Sequence, residues 1–179
     1  MIVTGTLAER LFRGGEGGKH GARMPMSEES AEGAAEPELF RFRVPARLEY
    51  REAARTFITY VCDQLARNER LSEELGHRVI SAFIEAFNNA VIHAYRGRQT
   101  GPIEVELAVG QEKLSLRVID EGHGFSPDDV PPPPLEGDVD SLPEGGMGLF
   151  IMRSFMDRVD FQQEKGQNVL IMEKILPKK

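Results

Sequence analysis

The 179 residues, 40% hydrophobic and 28% charged, suit a single soluble domain, and a formal charge of −7 argues against nucleic-acid backbone as the main ligand, because phosphate contacts need clustered Lys and Arg. A small nucleotide, which needs only a local site, stays open. One cysteine, Cys62, excludes an internal disulfide and a cysteine-based metal site, and no apolar run approaches the ~18 residues that cross a bilayer.

In chain order, residues 1–37 hold seven of the 18 glycines, mixed charges and little periodic hydrophobicity. Such a segment cannot bury enough surface to offset its ordering entropy, so a mobile tail is expected, with the folded domain over residues 38–179. Met24 and Met26 stand just ahead of that domain and offer alternative starts. The N-terminus has no apolar signal segment, and a cytoplasmic location is expected. Leu39 to Val44 alternates Phe40, Phe42 and Val44 with Arg41 and Arg43, the pattern of a strand with one wet face. After Pro45, residues Arg47 to Arg67 place Ala54, Phe57, Ile58, Val61, Cys62 and Leu65 at helical spacing, which makes Cys62 a buried small hydrophobe. Ser72 followed by Glu73 and Glu74 reads as an N-cap with acidic residues in the first turn, opening a long helix that stops near Gly97.

Within that helix Phe83, Phe87, Ala90, Val91 and Ala94 share one face, while Glu85, Asn88 and Asn89 lie opposite. Ile103 to Val109 and Leu114 to Val118 alternate as a hairpin about residues 110–113, and the second strand runs into Asp120-Glu121-Gly122-His123-Gly124-Phe125. Residues 126–145 carry four consecutive prolines, six acidic side chains and no periodicity, the composition of a functional or disordered loop. Gly145-Gly146-Met147-Gly148 opens a short helix from Leu149 to Met156. Arg158 to Gln163 and Asn168 to Leu176 form a closing hairpin about Lys165-Gly166, and the last strand, apolar on both faces, belongs inside the sheet. The order β-α-α-β-β-(loop)-α-β-β predicts an α+β fold, a two-layer sandwich of a mixed, mostly antiparallel sheet with helices on one face. It does not fit a doubly wound dinucleotide fold, because the glycine segments do not follow the first strand of a βαβ unit.

Three polar elements carry the chemistry. Glu85 and Asn89 are four apart and therefore neighbours on the helix surface, one able to take a proton and the other to offer a neutral oxygen to a hard cation. The alternative is a solvated polar face. Asp120 ends a strand at a Gly-x-Gly turn, where it can accept from the exocyclic amine of a flat base or merely cap a tight turn. Gly146 and Gly148 precede a helix start, whose free amides suit anions, although a glycine hinge has the same signature. The three together outline a site for a nucleoside triphosphate with Mg²⁺, which keeps several waters and needs one protein oxygen besides the phosphates.

At these residues the chain resembles the GHKL superfamily of Bergerat-fold ATPases, and within it the bacterial anti-sigma-factor serine kinases, over roughly residues 38–174. Glu85-Ala-Phe-Asn-Asn89-Ala-Val-Ile-His93-Ala-Tyr95 is similar to the family N-box, Asp120-Glu-Gly122-His-Gly124-Phe125 to the G1 box, and Gly146-Met147-Gly148-Leu149 to the G2 box, while Phe155-Met156-Asp157 also looks like this family. The resemblance implies the Bergerat fold and ATP with Mg²⁺ as cofactors. It implies Asn89 as the Mg²⁺ ligand, Asp120 as the adenine acceptor and Glu85 as general base, with Gly122, Gly124, Gly146, Met147, Gly148 and Leu149 shaping the pocket. It further implies a homodimer that binds a sigma factor and phosphorylates a serine on an anti-sigma-factor antagonist with a small α/β, STAS-type domain, with no direct nucleic-acid or membrane partner. One departure qualifies this. Between Phe125 and Arg153 there is no Lys or Arg, so any cation for the γ-phosphate must come from elsewhere, with Arg96 and Arg153 as candidates.

Two other functions share parts of this pattern. A regulatory module that binds ATP or ADP and switches partners without phosphoryl transfer would explain the uncharged loop. The ATP-binding half of a sensor histidine kinase would need an upstream helical hairpin bearing a phospho-acceptor histidine, and His20 and His77 do not stand in one.

Overall fold

The computed structural model describes residues 36–95 (backbone alone at 93), 101–123 and 147–177. Five strands, β1 (Glu38–Pro45), β2 (Pro102–Val109), β3 (Lys113–Asp120), β4 (Arg158–Glu164) and β5 (Gln167–Ile175), form one sheet in the order β1-β2-β3-β5-β4. Every pairing is antiparallel, so the expected mixed character reduces to a purely antiparallel sheet among the described residues. β5 lies between β3 and β4, and its central residues Val169, Leu170, Ile171 and Met172 are buried on both faces, as its unbroken apolar run predicts.

Three α-helices, α1 (Arg51–Arg67), α2 (Glu73–Asn89) and α3 (Met147–Phe155), supply the helical layer. α1 starts four residues later than its periodicity implies, because Leu48–Tyr50 first forms a 3-10 turn after Pro45. Phe57 on α1 lies against Phe42 of β1 with ring centroids 4.9 Å apart, which ties the helix to the sheet edge. α2 begins as predicted: Ser72 Oγ accepts from the Leu75 amide at 3.2 Å, a cap worth about 1 kcal/mol. Phe83 and Phe87, both wholly buried, pack on the sheet together with Ile103, Leu107, Leu116 and Met172. Cys62 is buried in the same core, and loss of solvent pushes its thiol pKa up to about 12.

The long helix ends differently from its sequence pattern. Regular α-helix stops at Asn89, and Ala90–Ala94 continues as a π-helical turn. Such wider turns free backbone groups for outside partners and recur at functional sites. At the end of the sheet near Ala94 a two-residue turn, Lys165 (φ 51) and Gly166 (φ 82), joins β4 to β5. Positive φ at both positions is the type I′ geometry that suits a twisted hairpin, and it sets Asn168 opposite Gln163 on β4 and opposite Asp120 on β3. Near the α3–β4 corner, Asp157 accepts from Lys174 Nζ at 3.1 Å and from the Ile175 amide at 2.7 Å, and Lys174 Nζ also donates to Phe155 O at 3.0 Å. The Phe-Met-Asp run therefore locks the end of α3 to β5.

Candidate functional site

The polar face of α2 is partly covered. Glu85, Asn88 and Asn89 are all partly buried, so the face is neither fully solvated nor sealed. The cover is the first turn of α3, where buried Gly148 fits because it lacks a side chain. A Cβ on Gly148 would stand 2.9 Å from Glu85 Oε2 and 3.6 Å from both Asn89 Oδ1 and Asn89 Nδ2. Carboxylate, carboxamide and glycine backbone thus converge on one spot. Flanking Gly148, Leu149 points into the core and Met147 is exposed.

Asp120 closes β3 on the side facing the helices, the same side as Val118, Leu116 and Leu114. Its Oδ1 accepts from the Gly122 amide at 2.9 Å and from Asn168 Nδ2 at 2.7 Å. Burial raises the carboxyl above its ordinary value, and the two hydrogen bonds pull the other way by favouring the charged form. The turn after Asp120 fits tightly under the π-helical segment: a Cβ on Gly122 would lie 2.2 Å from Ala94 O, and the His123 amide donates to that oxygen at 2.9 Å. Here glycine is required by the approach of two backbones.

One helical element therefore reaches both polar groups. Asn89 ends its α-helical part beside Gly148, and Ala94, the last π-helical residue, rests on the Asp120-Glu121-Gly122 turn. Of the predicted site residues, the structure brings Glu85, Asn89 and Gly148 together at one end and Asp120 and Gly122 at the other. Gly124 and Gly146 lie outside the described residues, as do Arg96 and the acidic loop, and Arg153 is exposed on α3. A separate cleft lined by Cys62, Leu71, Gly76 and His77 sits about two and a half turns down α2 from Glu85.

Two residues without a role of their own in the sequence complete the Asp120 end. Tyr95 is buried, its hydroxyl accepts from the Glu121 amide at 2.9 Å, and it donates to Pro102 O at 2.8 Å, so it joins the start of β2 to the turn after β3. Burial raises its phenol pKa. Asn168 bonds Asp120 and also donates to Gly122 O at 3.1 Å. The available signal was a polar residue at the mouth of an apolar strand, in a register that the Lys165-Gly166 turn dictates.

Residues 44–174 match the model of the histidine kinase-like ATPase domain. The chain belongs to the histidine kinase-like ATPase family. Nucleotide binding comes with that membership, and the ATPase domain spans both polar ends of the site just described. The domain is 33% identical over 138 residues to the serine-protein kinase RsbW of Bacillus pumilus (strain SAFR-032), covering 74% of this chain and 83% of that protein. It is 30% identical over 96 residues to an anti-sigma F factor of Clostridium beijerinckii, covering 54% of this chain and 67% of that protein. Its fold is similar to that in the crystal structure of the RsbU and RsbW domains of Rv1364c from Mycobacterium tuberculosis, with a TM-score of 0.53 and 17% identity, covering 81% of this chain and 35% of that one. At that identity the likeness is one of fold, and it agrees with the α+β sandwich expected from the sequence. No helix among the described residues is long and apolar enough to cross a membrane.

Proposed function

We propose that this chain is an ATP-dependent serine protein kinase and anti-sigma factor, with residues 38–179 as the kinase unit. It binds a sigma factor, works as a homodimer in the cytoplasm, and phosphorylates a serine on an antagonist with a STAS-type domain. The observation that carries the reading is the convergence of Glu85 and Asn89 on Gly148, at one end of the helix whose other end rests on the Asp120 turn. The names of the relatives, serine-protein kinase and anti-sigma F factor, support the activity and the partners.

The donor set fits Mg²⁺ carried by a nucleotide. Among the described residues no three His, Cys, Asp or Glu side chains cluster as a metal cage, whereas Asn89 offers one neutral oxygen beside the closely approaching α3 backbone. When bound, Mg²⁺ offsets the charge that develops on the phosphate oxygens. The remaining work falls to the chain. Asp120 accepts from the adenine amine, Gly122 lets the turn that follows Asp120 close against Ala94, and the turn at Met147-Gly148-Leu149 carries amides to the phosphates. Glu85 takes the proton from the attacking serine hydroxyl as the new oxygen–phosphorus bond forms and ADP departs.

A second reading, a nucleotide-binding partner switch without phosphoryl transfer, draws on the lack of Lys and Arg from 126 to 152. Incubating the protein and its Glu85→Ala variant with labelled ATP and the antagonist separates the two. The kinase reading expects phosphoserine with the native chain and at least a hundredfold less with the variant, within the ~10²–10⁴ range of acid–base catalysis. No phosphoserine in either sample would leave only the switch.

A further inference from the structure

We infer that Asn168 is the positioning residue for base recognition, holding the Asp120 carboxylate as an acceptor so that the site selects a base bearing an exocyclic amine. The inference rests on the reading of Asp120 as the adenine acceptor. It comes from a junction of three strands. Asn168 is the cross-strand partner of Asp120 on one side and of Gln163 on the other, so its side chain sits in one row with both. Its Nδ2 donates to Asp120 Oδ1 at 2.7 Å and to Gly122 O at 3.1 Å, while its Oδ1 accepts from Gln163 Nε2 at 3.3 Å.

That pattern admits only one orientation of the amide. Turning it over would set the amide oxygen against a carboxylate oxygen and a carbonyl oxygen, two acceptors with no proton between them. Asn168 therefore always presents donors to the turn. One donor fixes an oxygen of Asp120, and the other holds the Gly122 peptide on which a base would lie. The same donor opposes the effect of burial, which by itself favours a neutral carboxyl. A neutral carboxyl could donate a proton to a ring or keto acceptor, and selection for an amine would be lost. Strand pairing does not need this side chain, since backbone ladders run from Lys113–Ile175 up to Asp120–Asn168 between β3 and β5 and one pair beyond Asn168 between β4 and β5.

The test compares ATP with purine riboside triphosphate, which has hydrogen in place of the 6-amino group. Both affinities are measured with Mg²⁺ on the full chain and on Asn168→Leu. A hydrogen bond to a charged group corresponds to about tenfold or more in affinity, so the native chain should prefer ATP by at least that factor. Asn168→Leu should bind ATP about tenfold more weakly while its affinity for the analogue stays the same, erasing the preference. Asn168→Asp, which keeps the size but removes the donor, should erase it too and covers the case in which the leucine variant fails to fold. Equal weakening of both ligands would reduce Asn168 to a structural role and overturn the inference, as would variants that keep the full preference. A native chain that does not distinguish the two ligands would instead refute the role of Asp120 itself.

Discussion

Gly148→Ala separates folding from catalysis at this site. The added Cβ would stand 2.9 Å from Glu85 Oε2, closer than a Cβ and an oxygen settle, so the carboxylate must retreat by several tenths of an ångström. It can do so, because Oε2 is the free end of a flexible side chain. The neighbouring atoms of Asn89, at 3.6 Å, are in ordinary contact and need not move. Gly148 lies in the first turn of α3, where alanine is the better helix former by up to about 1 kcal/mol. Thermal stability should therefore hold or rise by a few degrees, and Mg²⁺–ATP affinity should stay within about threefold. Phosphoryl transfer should fall about 10- to 100-fold, since a base displaced by even about 1 Å can lose two orders of magnitude. The assay is single-turnover phosphoserine formation at saturating ATP, run beside a melting curve and a nucleotide titration. A stable variant that transfers phosphate at the native rate would refute the claim that Glu85 acts from beside Gly148.

The other end of the site gives two further expectations. Gly122→Ala drives a Cβ to 2.2 Å from Ala94 O, a backbone atom that already accepts from the His123 amide, so the strain cannot be relieved by rotating a side chain. A loss of about 1–3 kcal/mol and a melting point lower by several degrees should follow, with weaker nucleotide binding; an unchanged melting point would contradict the close approach. Asp120→Asn should move stability and function in opposite directions. Burial is the larger influence on this carboxyl and raises its pKa in the folded state. Its contribution to stability is thus fully present below the ordinary value and is lost as pH rises through the raised one, so at pH 7 the fold carries an unfavourable buried charge. The variant should melt higher than the native chain at pH 7, by a margin that shrinks as pH falls through the raised value and is gone below the ordinary one, and should bind ATP at least tenfold more weakly. A lower melting point at pH 7 would mean that the hydrogen bonds from Asn168 and Gly122 outweigh burial.

Much of this was legible from residue order because the determinants are local. Ser72 with Glu73 and Glu74 marks the start of α2, Lys165-Gly166 marks a hairpin, and the apolar run after Asn168 marks an interior strand. What the sequence could not carry depends on how distant segments meet. The polar face of α2 looks wet by periodicity, and only the docking of α3 through Gly148 sets a second backbone against Glu85 and Asn89. The switch from α to π geometry at Ala90 has no compositional signal, yet it delivers Ala94 O to the turn after β3. Tyr95 and Asn168 were visible residues with no visible partners: their roles arise from hydrogen bonds to Glu121 and Asp120, which lie 26 and 48 residues away in the chain.

If the α2 face and the Asp120 turn form one Mg²⁺–nucleotide site, the affinity for ATP with and without Mg²⁺ in the native chain and in Asn89→Ala reveals it. Mg²⁺ should tighten ATP binding to the native chain, and Asn89→Ala should abolish this gain while retaining the Mg²⁺-independent affinity supplied by the Asp120 end. An Asn89→Ala protein whose ATP binding is still tightened by Mg²⁺ to the native degree would contradict a single site.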